Sequence, residues 1–142
     1  MNVTVHLDRR KIAGKVMSDR FGLFVSNEWK RLIDPYTPRD IGTLELNVEK
    51  LPWKIWYRVP YAHYVYTGIK YVDPVYKVGA FYSPTYGFWS RPGVKKEPTE
   101  TPLVYQHKNP YSTDHWDLKA EMAGQKQILY RTINAALQNG QI

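Results

Sequence analysis

The sequence predicts an α+β domain, a small antiparallel sheet with an N-terminal and a C-terminal helix packed on it, plus a long Pro/Tyr-rich arm. Three observations predict it. Two segments in the first 60 residues alternate apolar and polar positions, as half-buried strands do. Two apolar stripes at helical spacing lie toward the two ends. Between residues 69 and 113 neither period holds, and prolines 74, 84, 92, 98, 102 and 110 interrupt the chain. With 142 residues, 43% of them hydrophobic, residues 1–142 read as a single domain with a core of its own and an arm or insertion at about 69–113.

The opening MNVTVHLD places Val3, Val5 and Leu7 on one face and Asn2, Thr4, His6 and Asp8 on the other, a period of two. Asp8 is then placed to cap a helix whose apolar positions are Ile12, Val16, Phe24, Val25, Trp29, Leu32 and Ile33. Lys15, Asp19 and Arg31 fall outside that stripe, and Gly14 and Gly22 count against a straight helix. Pro35 and Pro38 in DPYTP end it, because the residue before a proline is pushed out of the helical region.

TLELNVEKLPWKIWYRV reads as a hairpin. Leu44, Leu46 and Val48 share one face, as do Trp53, Ile55, Tyr57 and Val59 on the returning strand. The turn falls around Glu49 to Pro52, where a proline sits outside the ladder. YAHYVYTG supplies one or two helical turns stopped by Gly68. Phe81, Tyr82, Phe88 and Trp89 make the following segment too aromatic for a disordered linker, and a loop this long in a small domain is usually functional. The last element is a helix over STDHWDLKAEMAGQKQILYRTINAALQNG. Ser112, Thr113 or Asp114 caps it, and Leu118, Met122, Leu129, Ile133, Ala136 and Leu137 face inward.

No apolar stretch approaches the roughly 20 residues that span a bilayer, and the start lacks the basic-then-apolar order of a signal peptide. With no cysteine there is neither a disulfide framework nor a thiolate metal site, and synthesis in the cytoplasm is expected. The net charge of +7 points to nucleic acid, a membrane surface or an acidic protein partner, or serves solubility. The lysines and arginines are spread along the chain rather than clustered. Arg58, Lys70, Lys77, Arg91, Lys95 and Lys96 interleave with aromatics, as on a base-stacking surface, or else on an arm whose rings fill a neighbour's pockets.

DHWD, residues 114–117, with His63 and His107, is the one cluster suggestive of metal or acid–base chemistry. Asp114 and Asp117 belong to a helix's first turn, where carboxylates meet free backbone N–H groups, so capping accounts for them. TYGFWSRPG lacks the spacing of a phosphate loop, and Ser83 and Ser90 sit in no nucleophile elbow. A tyrosine at 64 or 66 with His63 as base is the remaining enzymatic arrangement, and adjacent residues diverge. No catalytic, cofactor-binding or metal-binding residue is assigned.

The order of motifs does resemble a known family. YTPRDIGTLELNV is similar to the proline, threonine-glycine and leucine run before the first hairpin of small tailed-phage structural proteins. VPYAHYVYTG resembles the proline-tyrosine-alanine-aromatic-tyrosine signature that follows it. FWSRPGVKKEPTETPLVYQHKNPYSTDHWDLKAEM resembles the later half of the phage minor capsid family, proteins of the head–tail neck. In KNPYSTDHWD, Asn109 stands where the family often has histidine, and Tyr111 where it has a smaller residue. The resemblance implies a virion structural protein, not an enzyme, that forms a ring of identical copies between the portal or connector and the tail. DNA would pass through that ring without sequence-specific binding, and no membrane or cofactor is involved. It implies subunit contacts at Tyr61, Tyr64, Tyr66, Tyr82, Phe88, Trp89, Lys95 and Lys96. The alternative from the residues alone is a basic nucleic-acid-binding protein.

Overall fold

The computed structural model describes residues 1–12, 18–38, 47–59, 62–105 and 111–141. Its described residues form an α+β fold. Strand β1 (Asn2–Thr4), β2 (Val48–Leu51) and β3 (Lys54–Tyr57) make an antiparallel sheet in the order β1-β3-β2. The alternation expected of the first strand and the hairpin holds: Val3, Val5, Ile55 and Tyr57 are buried, while Thr4, Lys54 and Trp56 are exposed. Leu44 and Leu46 of the expected hairpin lie outside the described residues. The turn is one step later than expected, at Pro52 and Trp53, between the paired Leu51 and Lys54. Trp53 takes φ +63° there, a left-handed value unusual for a bulky residue.

Helix α1 (Asp19–Ile33) begins ten residues later than the Asp8 cap implied. Asp8 instead caps a three-residue 3-10 turn at Arg9–Lys11, and its carboxylate is taken up by Arg10 at 3.0 to 3.2 Å. The cap of α1 is Ser18, whose Oγ accepts from Phe21 N at 3.1 Å. From there the expected stripe is correct: Val25, Trp29, Leu32 and Ile33 are buried, joined by Phe21, Gly22 and Ser26. Pro35 and its neighbours close the helix as a second 3-10 turn, Asp34–Tyr36. Val16 and Lys15 fall outside the described residues.

Gly22 earns its place in mid-helix by contact. A Cβ there would lie 2.5 Å from Trp53 Nε1, and the Gly22 carbonyl accepts from Trp53 N at 3.2 Å. The helix therefore seats directly on the hairpin turn, while Val5 N donates to Trp53 O at 2.8 Å from the other side.

The final helix is two. Helix α3 (Trp116–Met122) and helix α4 (Gln125–Gln138) are separated by Ala123 and Gly124, with the short α2 (Ala62–Thr67) preceding them in the chain. The break turns part of the expected stripe outward: Leu118 is 49% and Met122 82% exposed, whereas Leu129, Ile133 and Ala136 are buried. Trp116 and Ala120 take the inward positions of α3. The residue at the cap position is His115, in a left-handed conformation with no side-chain cap bond, not Ser112, Thr113 or Asp114.

Residues 69–102 form two further two-stranded antiparallel ribbons. Strand β4 (Ile69–Val72) pairs with β7 (Glu97–Pro102), and between them β5 (Phe81–Ser83) pairs with β6 (Gly87–Trp89). These strands do not extend the three-stranded sheet. None of their residues joins the main hydrophobic cluster, which is built from β1, β3 and α1 to α4. Among the described residues no helix is long and apolar enough to cross a membrane.

Candidate functional site

The ribbon of residues 69–102 is held by one buried carboxylate. Asp73 Oδ1 accepts from Val75 N at 2.8 Å and Tyr76 N at 3.0 Å, and both its oxygens accept from Arg91, at 2.6 and 2.9 Å. Fork-to-fork geometry of this kind is the strong form of ion pair. The Arg91 guanidinium holds the Asp73 carboxyl well below the usual carboxylate range, and two backbone N–H groups act in the same direction. Arg91 also lies over the Tyr76 ring at 5.0 Å. Beyond this clamp, the cross-strand pair Phe81–Trp89 stacks at 4.6 Å and Tyr82 meets Phe88 at a tilt at 5.1 Å.

The paired rings still face solvent. Tyr82 is 66%, Phe88 78% and Tyr86, in the turn between them, 84% exposed. Several large aromatic side chains exposed together are unusual on a monomer surface. Of the expected contact residues, Tyr82 and Phe88 therefore pair on one face of the β5–β6 ribbon, and Trp89 pairs with Phe81 on the other. Lys95 is exposed, while Lys96 is half-buried with Nζ on the Gly79 carbonyl.

The tyrosines of α2 join the ribbon to the core. Tyr64 packs on Tyr71 of β4 at 4.7 Å, and Tyr105 OH donates to the Val65 carbonyl at 2.7 Å, so α2 carries the root of the ribbon. Burial pushes the Tyr105 phenol up to about 12. Gly68, at φ +73°, makes the joint; a Cβ there would meet Asp114 at 2.7 Å. Tyr66 donates to Asp117 Oδ1 at 2.7 Å and packs edge-on against Trp116 at 5.0 Å. Burial first, then Asp117, pushes the Tyr66 phenol up, so it stays protonated. Trp116 Nε1 donates in turn to Tyr57 OH at 3.2 Å. Tyr61 and His107 lie outside the described residues.

The DHWD segment resolves into these structural contacts. Asp114 meets Thr113 Oγ1 at 3.0 Å, His115 Nδ1 at 3.1 Å and Lys119 Nζ at 3.8 Å. Asp117 holds Tyr66. Among the described residues no group of three potential ligands is placed to bind a metal.

A cleft that the sequence did not suggest lies beside β1. It has a volume of about 520 Å³ and runs between β1 on one side and Tyr66, Asp117 and Glu121 on the other, with Trp29 and Lys126 also lining it. Lys126 Nζ sits 4.8 Å over the Trp29 ring and donates to the His6 carbonyl at 2.5 Å. Burial pulls the Lys126 pKa down, and Glu121 and Asp117 counter it. β1 is an edge strand. Met1 exchanges backbone hydrogen bonds with Tyr57, and Val5 N donates to Trp53 O of the hairpin. In an antiparallel ladder the alternate residues, Asn2 and Thr4, then point their N–H and C=O groups away from β3.

Some of the basic residues that interleave with aromatics are paired within the chain. Arg58 pairs with Glu49 at 2.7 Å, Lys77 with Glu97 at 3.3 Å, and Arg91 with Asp73. Comparison with family models, with curated proteins and with solved structures gives no match for this chain.

Proposed function

We propose that the chain is a structural component of a tailed-phage virion. In this reading it forms a ring in the neck that joins the head to the tail and continues the DNA channel. The ordered run of three motifs over roughly residues 35 to 135 carries the proposal. The ribbon supports it: its exposed aromatic rings have a use once another subunit covers them, and its prolines lower the entropy lost when it is ordered. The ion pairs at Arg58, Lys77 and Arg91 count against the nucleic-acid alternative, because those cations are already partly neutralised.

Mass spectrometry of purified particles tests the class, and the protein should be found in them. Particles lacking it, with tight and salt-sensitive binding of the pure protein to free DNA, would overturn the reading in favour of the alternative. Limited trypsin digestion tests the ribbon. Cleavage after the exposed Lys95 in the free protein should vanish in the particle, and equal resistance in both would remove the ribbon as an interface.

A further inference from the structure

We propose that the outward face of α4, with the Arg9–Lys11 turn that rests on it, is the surface that meets the phosphate backbone of duplex DNA. The inference deepens the proposed function and rests on it for the source of that DNA, the duplex passing through the ring.

The helix supplies the first argument. Gln127, Arg131, Asn134 and Gln138 recur at i, i+4, i+7 and i+11, a single stripe on the side away from the buried Leu129, Ile133 and Ala136. Gln127, Arg131 and Gln138 are exposed, and Asn134 is half-buried. Every member of the stripe carries side-chain N–H donors. None is acidic, and residues 122–142 contain no Asp or Glu at all.

Tertiary contacts bring further cations to the edge of this stripe. Asn134 Nδ2 donates to the Lys11 carbonyl at 2.9 Å, and Asp8 N donates to Tyr130 OH at 2.8 Å. Lys11 Nζ lies 5.4 Å over the Tyr130 ring. Arg9, Lys11 and Arg131 are exposed and form no ion pair among the described residues, unlike Arg58, Lys77 and Arg91 of the hairpin and ribbon. Opposing charge is confined. Asp8 gives both oxygens to Arg10, and Glu121 lines the hollow between the turn and α4 together with Lys126.

The chemistry of this face selects its occupant. Arg, Lys and amide side chains are the groups that contact phosphate, and such contacts carry no sequence reading of their own. A single strand would be gripped by bases stacking on exposed rings. The face has none, since Tyr130 is half-buried beneath Lys11. A protein partner would centre on aromatic anchors, which are missing for the same reason. A few non-specific phosphate contacts also let a protein slide along DNA, as a channel wall must.

The test is binding of the full chain to a fluorescein-labelled random-sequence duplex, read by anisotropy over a salt series. The logarithm of the binding constant should fall linearly with that of salt, with a slope of about −3 from phosphate contacts by Arg9, Lys11 and Arg131. Arg131→Gln alone should reduce the slope by about 1, and Arg9→Gln, Lys11→Gln and Arg131→Gln together should abolish it. Glutamine at three exposed lysines elsewhere, Lys50, Lys54 and Lys95, should leave the slope as it is. No binding by the parent chain at low salt, an unchanged slope in Arg131→Gln, or equal losses in the two triple variants would overturn the proposal. So would tighter binding to a single strand, or to phosphatidylserine vesicles, than to the duplex. A protein present in particles but indifferent to duplex removes this face and leaves the neck reading intact. Duplex binding that follows these three residues, in a protein absent from particles, supports the face and removes the neck reading.

Discussion

Replacing Gly22 by alanine sets two effects of opposite sign against each other. In a helix interior alanine is favoured over glycine by about 1 kcal/mol, so propensity alone makes Gly22→Ala stabilising. The structure reverses the sign. The new Cβ would lie 2.5, 2.7 and 2.9 Å from Nε1, Cδ1 and Cε2 of Trp53, closer than van der Waals contact allows. The indole cannot retreat with its backbone, because Trp53 N is bonded to Gly22 O and Trp53 O to Val5 N. It can only rotate, giving up its edge-on contact with Phe21 at 5.5 Å. Overpacking of this kind costs about 1 to 3 kcal/mol, which leaves a net loss of about 1 kcal/mol. In a Trp53→Ala background the obstruction is gone, and the same change should stabilise by up to about 1 kcal/mol. Urea unfolding followed by far-UV circular dichroism measures both, and the cycle should give a coupling of about 2 kcal/mol. A gain in stability from Gly22→Ala in the parent chain, or equal shifts in both backgrounds, would refute the reasoning.

Trp116→Ala should destabilise by about 3 to 5 kcal/mol, since the ring is fully buried between Tyr57 and Tyr66 and ties α3 to the sheet and to α2; a loss below 1 kcal/mol in the same urea assay would contradict that role. Acid should release the ribbon late. The native pKa of Asp73 is depressed, so its contribution is complete above the unfolded value near 3.9 and is lost as pH falls through the lower native one. The Val75 and Tyr76 amide signals in NMR should therefore hold their positions down to about pH 3.9 and shift only below it, and a midpoint at an ordinary carboxylate pH would sink the Arg91 clamp.

The sequence by itself determined the class of fold and the buried faces of its regular elements. Val3, Val5, Ile55 and Tyr57, and the stripe of Val25, Trp29, Leu32 and Ile33, could be read from period alone. Burial on one side of a strand or helix leaves a repeat in the chain itself. Where competing local signals were near, the reading slipped: Asp8 and Ser18 are both good caps, and only the latter starts a long helix. The Ala123–Gly124 break changed which residues of α3 face inward, putting Trp116 in place of Leu118 and Met122. The candidate site was legible only as a composition, an aromatic and proline-rich stretch with basic residues. Its clamp joins Asp73 to Arg91, its root joins Tyr66 to Asp117, and the nearby cleft sets β1 beside α3. Only the tertiary structure decided these. They join residues from 18 to more than 100 positions apart, and a pairing across such a separation leaves no period in the sequence.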